Sequence, residues 1–178
     1  SLPFRPTGAQ ERAIADCAAD MASGRAMNRL IQGDVGSGKT LVAAALIWYT
    51  AQNGRQSAFM APTELLAEQH YSTLRGFLEP FGINVVKLTG SMGAKAKREA
   101  RAAIASGEAQ LAVGTHALIS EGVEFKSLGL VVTDEQHRFG VAQRSALAGK
   151  GERTHVLVMS ATPIPRTLAL IIYGDLDV

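Results

Sequence analysis

Residues 33–40 read Gly33-Asp34-Val35-Gly36-Ser37-Gly38-Lys39-Thr40, a complete G-x-x-x-x-G-K-[ST] loop with an additional glycine at Gly36. No other stretch restricts the fold as strongly. Such a loop works only between a strand that delivers it and a helix whose first turn points at an anion. Its backbone N–H groups must curl around a polyphosphate, and glycines allow turns and close approaches that a Cβ forbids. Lys39 then sets a point charge against the β- and γ-phosphates, and Thr40 offers a hydroxyl to Mg²⁺. The flanks have the required character: Arg29-Leu30-Ile31-Gln32 reads as a short strand, and residues 41–49 read as a buried helix. The expected ligand is a nucleoside triphosphate with Mg²⁺, held by residues 33–40.

The rest of the chain repeats that alternation. Short Val/Leu/Ile/Ala runs at 29–33, 56–61, 84–89, 109–114, 128–134 and 155–160 are separated by helix-length segments near 8–22, 39–52, 63–78, 94–106, 141–148 and 163–173. Thr7-Gly8-Ala9-Gln10 has capping-box spacing and Pro62-Thr63 opens the third helix, whereas Gly24, Gly54 and Gly107 mark helix ends. Strands alternating with helices predict a parallel sheet covered on both faces, an α/β fold. We therefore expect residues 1–178 to form a single domain or one lobe of a larger machine. The end of the chain, directly after an apolar helix and without a tail, has the look of an excised piece. Cys17 is the only cysteine, which excludes an intramolecular disulfide framework and suits a reducing cytoplasm. It falls on the inner stripe of the first helix, as a small buried hydrophobe would. No signal peptide or membrane span is read, so a cytoplasmic location is expected. A net charge of +2 is too small to name a nucleic-acid partner by itself.

The second chemical feature is Leu128-Gly129-Leu130-Val131-Val132-Thr133-Asp134-Glu135-Gln136-His137, an apolar strand ending in adjacent carboxylates. Ligands of open α/β sheets collect at that edge. Asp134 is placed for the Mg²⁺ shell, and Glu135 is placed to orient the attacking water.

Asp-Glu-x-His resembles the signature box of superfamily 2 helicases. Met60-Ala61-Pro62-Thr63-Glu64-Leu65-Leu66-Ala67-Glu68-Gln69-His70 is similar to motif Ia of that group, Val113-Gly114-Thr115-His116-Ala117-Leu118 to motif Ib, and Ser160-Ala161-Thr162-Pro163-Ile164-Pro165-Arg166-Thr167 to motif III. Together with Gly33–Thr40 and Asp134-Glu135-Gln136-His137-Arg138-Phe139-Gly140-Val141, these motifs resemble the first motor lobe of the RecG family, bacterial ATP-dependent DNA translocases that remodel branched DNA. The resemblance implies a RecA-like fold, with ATP and Mg²⁺ as cofactors. It gives catalytic roles to Lys39, Asp134, Glu135 and His137, with His137 joining the ATP site to motif III. Ser160, Thr162 and Arg166 would relay nucleotide state. It also implies a second RecA-like lobe, which supplies the transition-state arginine, and a branch-recognising domain, neither of which is found in this sequence. The translocase module of the transcription-repair coupling factor has similar motifs, but its box usually reads Asp-Glu-Glu-Gln-Arg-Phe-Gly. An RNA helicase and a nucleotide-dependent switch without translocation are the other readings; the Phe139-Gly140-Val141 extension opposes the first, and Glu135 the second.

DNA, duplex or branched, would be gripped by its backbone through helix N-termini, amides and small hydroxyls. Thr63, Gly90, Ser91, Thr115 and His116 are the candidates, and Thr63 has an equally local explanation as an N-cap. Lys95, Lys97, Arg98 and Arg101 make the most basic stretch; Lys97 and Arg101 share one helix face and Lys95 and Arg98 another. A solvated helix face is the favoured reading of this stretch over a dedicated DNA track. Arg138, Arg144 and Arg166 follow the acidic box and motif III, where each either senses nucleotide or ties loops together. Gln10 either reads adenine, as the resemblance implies, or completes the capping box with Thr7; Phe4 either stacks on the base or staples the helix entrance. His70, His116, His137 and His155 lack metal-ligand spacing, and His155 reads as structural.

Overall fold

The computed structural model describes residues 8–23, 28–32, 37–119, 122–134 and 154–160. Among these residues six strands form one sheet: β1 (Asn28–Gln32), β2 (Gln56–Met60), β3 (Val85–Leu88), β4 (Leu111–Gly114), β5 (Leu128–Asp134) and β6 (His155–Ser160). Every pairing is parallel, in the order β1-β6-β5-β2-β4-β3. The helices are α1 (Gly8–Ala22), α2 (Ser37–Gln52), α3 (Glu64–Leu78) and α4 (Ala94–Ser106), with short 3-10 turns at Glu79–Phe81 and His116–Ile119. The expected helices at 141–148 and 163–173, and the markers Phe4, Thr7 and Gly24, lie outside the described residues.

A parallel sheet must be covered on both faces, and strand side chains alternate between them. Phe59, Leu111, Val113, Leu130 and Val132 point into one core with Ile14 and Cys17 of α1, the run Val42–Ile47 of α2, and Leu74 and Leu78 of α3. Their neighbours Ala58, Met60, Ala112 and Val131 point into the other, against Ala100 and Ile104 of α4. Each large apolar side chain so buried contributes about 1.5–3 kcal/mol. Cys17 is 1% exposed and serves as the small hydrophobe its position suggests.

Strand β4 is shorter than its apolar run, which begins at 109. The Ala109 N–H donates to the Ala103 carbonyl at the end of α4, and the N–H groups of Gln110 and Leu111 converge on the Asn84 carbonyl. The chain is still turning out of the helix there, so the ladder starts at Leu111. Likewise Pro80 starts the turn that closes α3, and Gly82, at φ 82°, reverses the chain into β3.

Gly114 is required by a close backbone approach. A Cβ there would stand 2.0 Å from the Leu88 carbonyl oxygen of the neighbouring strand. Gly114→Ala is expected to destabilise by about 3 kcal/mol, the upper end of overpacking costs, and to lower Tm by roughly 6–12 °C. A variant that melts with the parent would refute the β3–β4 register.

At the opposite, N-terminal edge of the sheet, His155 is 8% exposed and begins β6. Burial lowers its pKa below the ordinary value, and the Arg55 charge adds to that effect while Asp20 opposes it. This is the structural histidine that its position at a strand start suggested.

Candidate functional site

Because every strand runs the same way, all C-terminal ends share one edge, where ligands of open α/β sheets bind. The described site residues collect there. Lys39 and Thr40 follow β1, Thr63 follows β2, Gly90 follows β3, Thr115 and His116 follow β4, Asp134 ends β5 and Ser160 ends β6. The strand order divides the edge in two. The nucleotide motifs stand over β1-β6-β5 and the motif Ia and Ib residues over β2-β4-β3.

On the nucleotide side, α2 opens with Ser37-Gly38-Lys39-Thr40, and its first turn carries no acidic residue. The first turns of α1 and α3, by contrast, hold Glu11 and Glu64, while that of α4 also has none. A helix N-terminus has unsatisfied N–H groups and partial positive charge, so a first turn without its own carboxylate suits an anion. Thr40 is 7% exposed and Lys39 is half-buried. Gln10 reaches beyond its own helix. Its Nε2 donates to the Gly38 carbonyl at 3.3 Å, which joins α1 to the first turn of α2. Across the ladder, Asp134 lies beside Met159 and Met159 beside Ile31, while Ser160 adjoins Gln32. The carboxylate that ends β5 and the strand that feeds the phosphate loop are thus held in register by β6. Gly33, Asp34, Val35, Gly36, Glu135, His137, Arg138, Arg144, Thr162 and Arg166 lie outside the described residues.

Asp134 is 9% exposed, and its Oδ2 accepts a hydrogen bond from His70 Nε2 at 2.7 Å. The His70 ring also packs on Phe59, with centroids 4.5 Å apart. Reading the sequence by local spacing assigned His70 no role. One signal was available: His70 falls on the inward stripe of α3 with Ala67, Leu74 and Leu78, and a polar side chain on an apolar stripe needs a partner. Among the described residues no group of three or more His, Cys, Asp or Glu side chains could hold a metal ion. Mg²⁺ in nucleotide sites is held mainly through phosphates, waters and one or two carboxylates.

On the other side, a groove of about 380 Å³ runs between the ends of β2, β3 and β4, lined by Thr63, Gly90, Thr115 and His116 among others. Thr63 is exposed with extended backbone, and its Oγ1 accepts from Leu66 N–H at 3.2 Å, so it is the N-cap of α3. Thr115 is 5% exposed, and its carbonyl accepts from Leu118 N–H to start the short turn beyond β4. Ser91 N–H donates to Glu64 Oε1 at 2.9 Å. Hydrogen bonds from the Ser91 hydroxyl and amide hold the Glu64 carboxyl below its ordinary pKa, with the charges of Lys97 and Lys87 adding to the effect. The basic stretch divides along the two helix faces. Lys95 and Arg98 are solvated as expected, but Lys97 and Arg101 are half-buried and line the groove. Arg101 Nε is buried, with no hydrogen-bond partner among the described residues. The solvated-face reading holds for one pair and is corrected for the other.

A family model described as DEAD/DEAH box helicase matches residues 7–171. The chain is 55% identical over 181 residues to the ATP-dependent DNA helicase RecG of Escherichia coli (strain K12), covering 99% of this chain and 26% of that protein. It is 53% identical over 178 residues to the RecG of Bacillus subtilis (strain 168), covering 100% of this chain and 26% of that protein. It thus spans about a quarter of the length of the curated relatives it matches. A solved structure of RecG bound to a three-way DNA junction matches with a TM-score of 0.84 at 48% identity, covering 98% of this chain and 23% of that chain. A DEAD box protein from Methanococcus jannaschii, at 23% identity and a TM-score of 0.70 over 97% of this chain and 48% of that one, shares the fold. The chain belongs to the DEAD/DEAH box helicase family, and its RecA-like domain is homologous to the motor lobe of RecG-like superfamily 2 helicases.

Proposed function

We propose that this chain is the first, ATP-binding motor lobe of a RecG-like helicase, which remodels branched DNA by fork regression and branch migration together with a second RecA-like lobe. The observation that carries the motor reading is the divided sheet edge, with a nucleotide half abutting a groove that has two cations in its wall. Identity of 55% to RecG across 99% of the chain supports branched DNA as the substrate.

The residues present fit Mg·ATP. The first turn of α2 lacks a competing carboxylate, Thr40 supplies a hydroxyl there, and Asp134 stands across β6 from the strand that feeds the loop. Lys39 and the amides of residues 33–40 would hold the phosphates, and Thr40 and Asp134 the metal shell. Bound Mg²⁺ neutralises charge on the β- and γ-phosphate oxygens. Glu135 would orient and polarise the attacking water. His137, Ser160, Thr162 and Arg166 would connect the nucleotide side to the groove.

In the groove, Thr63, Gly90, Thr115 and His116 would meet the sugar–phosphate backbone, with Lys97 and Arg101 neutralising phosphates. Contacts of this kind position a strand without reading its sequence. The double variant Lys97→Ala/Arg101→Ala should weaken fork binding equally for all sequences. Its log Kd against log salt slope should fall by about 2, or roughly 0.9 per lost phosphate contact. An unchanged slope would return both side chains to a structural role.

The deciding experiment is steady-state ATPase of the full-length protein on forked DNA, linear duplex, single strands and structured RNA, with Lys39→Ala as control. Strong stimulation by forks, abolished in the control, is expected. Equal stimulation by plain duplex would favour the coupling-factor translocase, and no stimulation by DNA would eliminate the motor.

A further inference from the structure

The two halves of the sheet edge meet between β5 and β2, and a bond between two side chains crosses that boundary. His70 belongs to α3, which rises from the groove with Thr63 as its N-cap, and its Nε2 donates to Asp134 Oδ2 at 2.7 Å on the nucleotide side. We propose that His70 is a positioning residue for Asp134, holding its carboxylate in the orientation that Mg²⁺ requires and making α3 the link between groove and metal site. This inference rests on the reading of Asp134 as the Mg²⁺ carboxylate.

Three observations support it. First, both side chains are largely covered, at 15% exposure for His70 and 12% for Asp134. A hydrogen bond to a charged acceptor in such surroundings is stronger and more directional than one in water. Second, the donor cannot wander. The imidazole is packed on Phe59, which is itself 0% exposed, and α3 is anchored on both sides of it by the buried Ala67 and Leu74. Third, the bond engages Oδ2, so a contact of this carboxylate with the metal shell would fall to Oδ1. Partners of this kind fix a ligand before the metal arrives, and their loss typically weakens metal affinity or activity about 10–100-fold. The length of the link is set by helix geometry: seven residues from Thr63 to His70 span about 10 Å at 1.5 Å per residue.

The test uses the full-length protein and three measurements. These are binding of a fluorescent ATP analogue with Mg²⁺ and with EDTA, the Mg²⁺ concentration for half-maximal ATPase, and fork binding without nucleotide. His70→Phe keeps an aromatic ring against Phe59 and removes the donor. It should weaken Mg²⁺-dependent nucleotide binding and raise the half-maximal Mg²⁺ concentration about 10–100-fold. Nucleotide binding in EDTA, and fork affinity, should stay at parent values. His70→Gln, whose amide nitrogen reaches about as far as Nε2, should restore Mg²⁺ dependence to within a few-fold of the parent. Should the phenylalanine variant not yield folded protein, His70→Asn, whose amide stops short of Asp134, carries the same expectation. Parent-like Mg²⁺ dependence in the donor-less variant, or glutamine performing no better than it, overturns the inference. Asp134→Asn separates the underlying reading. If that variant keeps parent Mg²⁺ dependence, Asp134 is not the metal carboxylate and both fall. If it loses Mg²⁺ dependence while His70→Phe does not, only the inference falls.

Discussion

Hydrolysis by residues 1–178 alone is expected to run about 10³–10⁵-fold slower than hydrolysis by the full-length protein, with Mg·ATP binding retained. The reason lies in where this lobe places its charge. The first turn of α2, Lys39 and Asp134 all stand at one sheet edge, so they would meet the nucleotide from a single side. Phosphoryl transfer spreads charge over the three equatorial oxygens of the γ-phosphate, and an arginine brought up from a partner supplies about that factor where it has been measured. The resemblance to superfamily 2 motors assigns that arginine to a second lobe. Single-turnover hydrolysis of radiolabelled ATP by the lobe and by the full-length protein would measure the gap. Rates within tenfold of each other would mean that this lobe completes its own transition-state site, and the two-lobe mechanism would be wrong.

The elements that flank the nucleotide motifs, β1, α2 and β5, were legible in the sequence because their signals are local. A short apolar run before the glycine-rich motif is β1, the apolar run after it is α2, and the apolar run closed by Asp134 is β5. The strands and helices were equally local, since alternation and helix-end glycines report on neighbouring residues; β5 and β6 match their apolar runs from end to end. Interactions that join distant segments escaped. His70 and Asp134 are 64 residues apart, and no spacing rule connects them. The division of the basic stretch is a second case. Helical periodicity correctly paired Lys97 with Arg101, but which face meets the groove depends on how α4 docks beneath Leu88 and Ala112, through Ala100 and Ile104. Gln10 is a third. Neither the capping-box reading nor the adenine reading implied by the resemblance pointed to the Gly38 carbonyl, which lies 28 residues away. The start of β4 failed for the opposite reason: Ala109 is apolar because it packs in the second core, while its N–H still serves α4.

Glu135→Gln and Lys39→Ala should fail in different ways, and the contrast separates a motor from a nucleotide switch on the same fold. In the proposed reading Lys39 is the cation of the phosphate loop, so its loss should weaken ATP binding itself and remove every nucleotide-dependent property together. Glu135 follows the strand-ending Asp134 by one residue and is assigned only to the water, a role that matters in the transition state and not in binding. Removing its basicity should lower kcat by about 10²–10⁴, the usual contribution of a positioned general base, while ATP affinity stays near that of the parent. An interaction made only in the transition state is recognised by that loss of kcat without loss of ground-state binding. In a switch that merely reports bound nucleotide, the glutamine variant would keep nucleotide-dependent DNA affinity and have no hydrolysis to lose. In a motor, it should hold DNA in the ATP state and stop moving, so that fork unwinding falls with kcat while fork binding persists. A glutamine variant that hydrolyses and unwinds at parent rates would take the water-activating role away from Glu135 and, with it, the reason for preferring a motor.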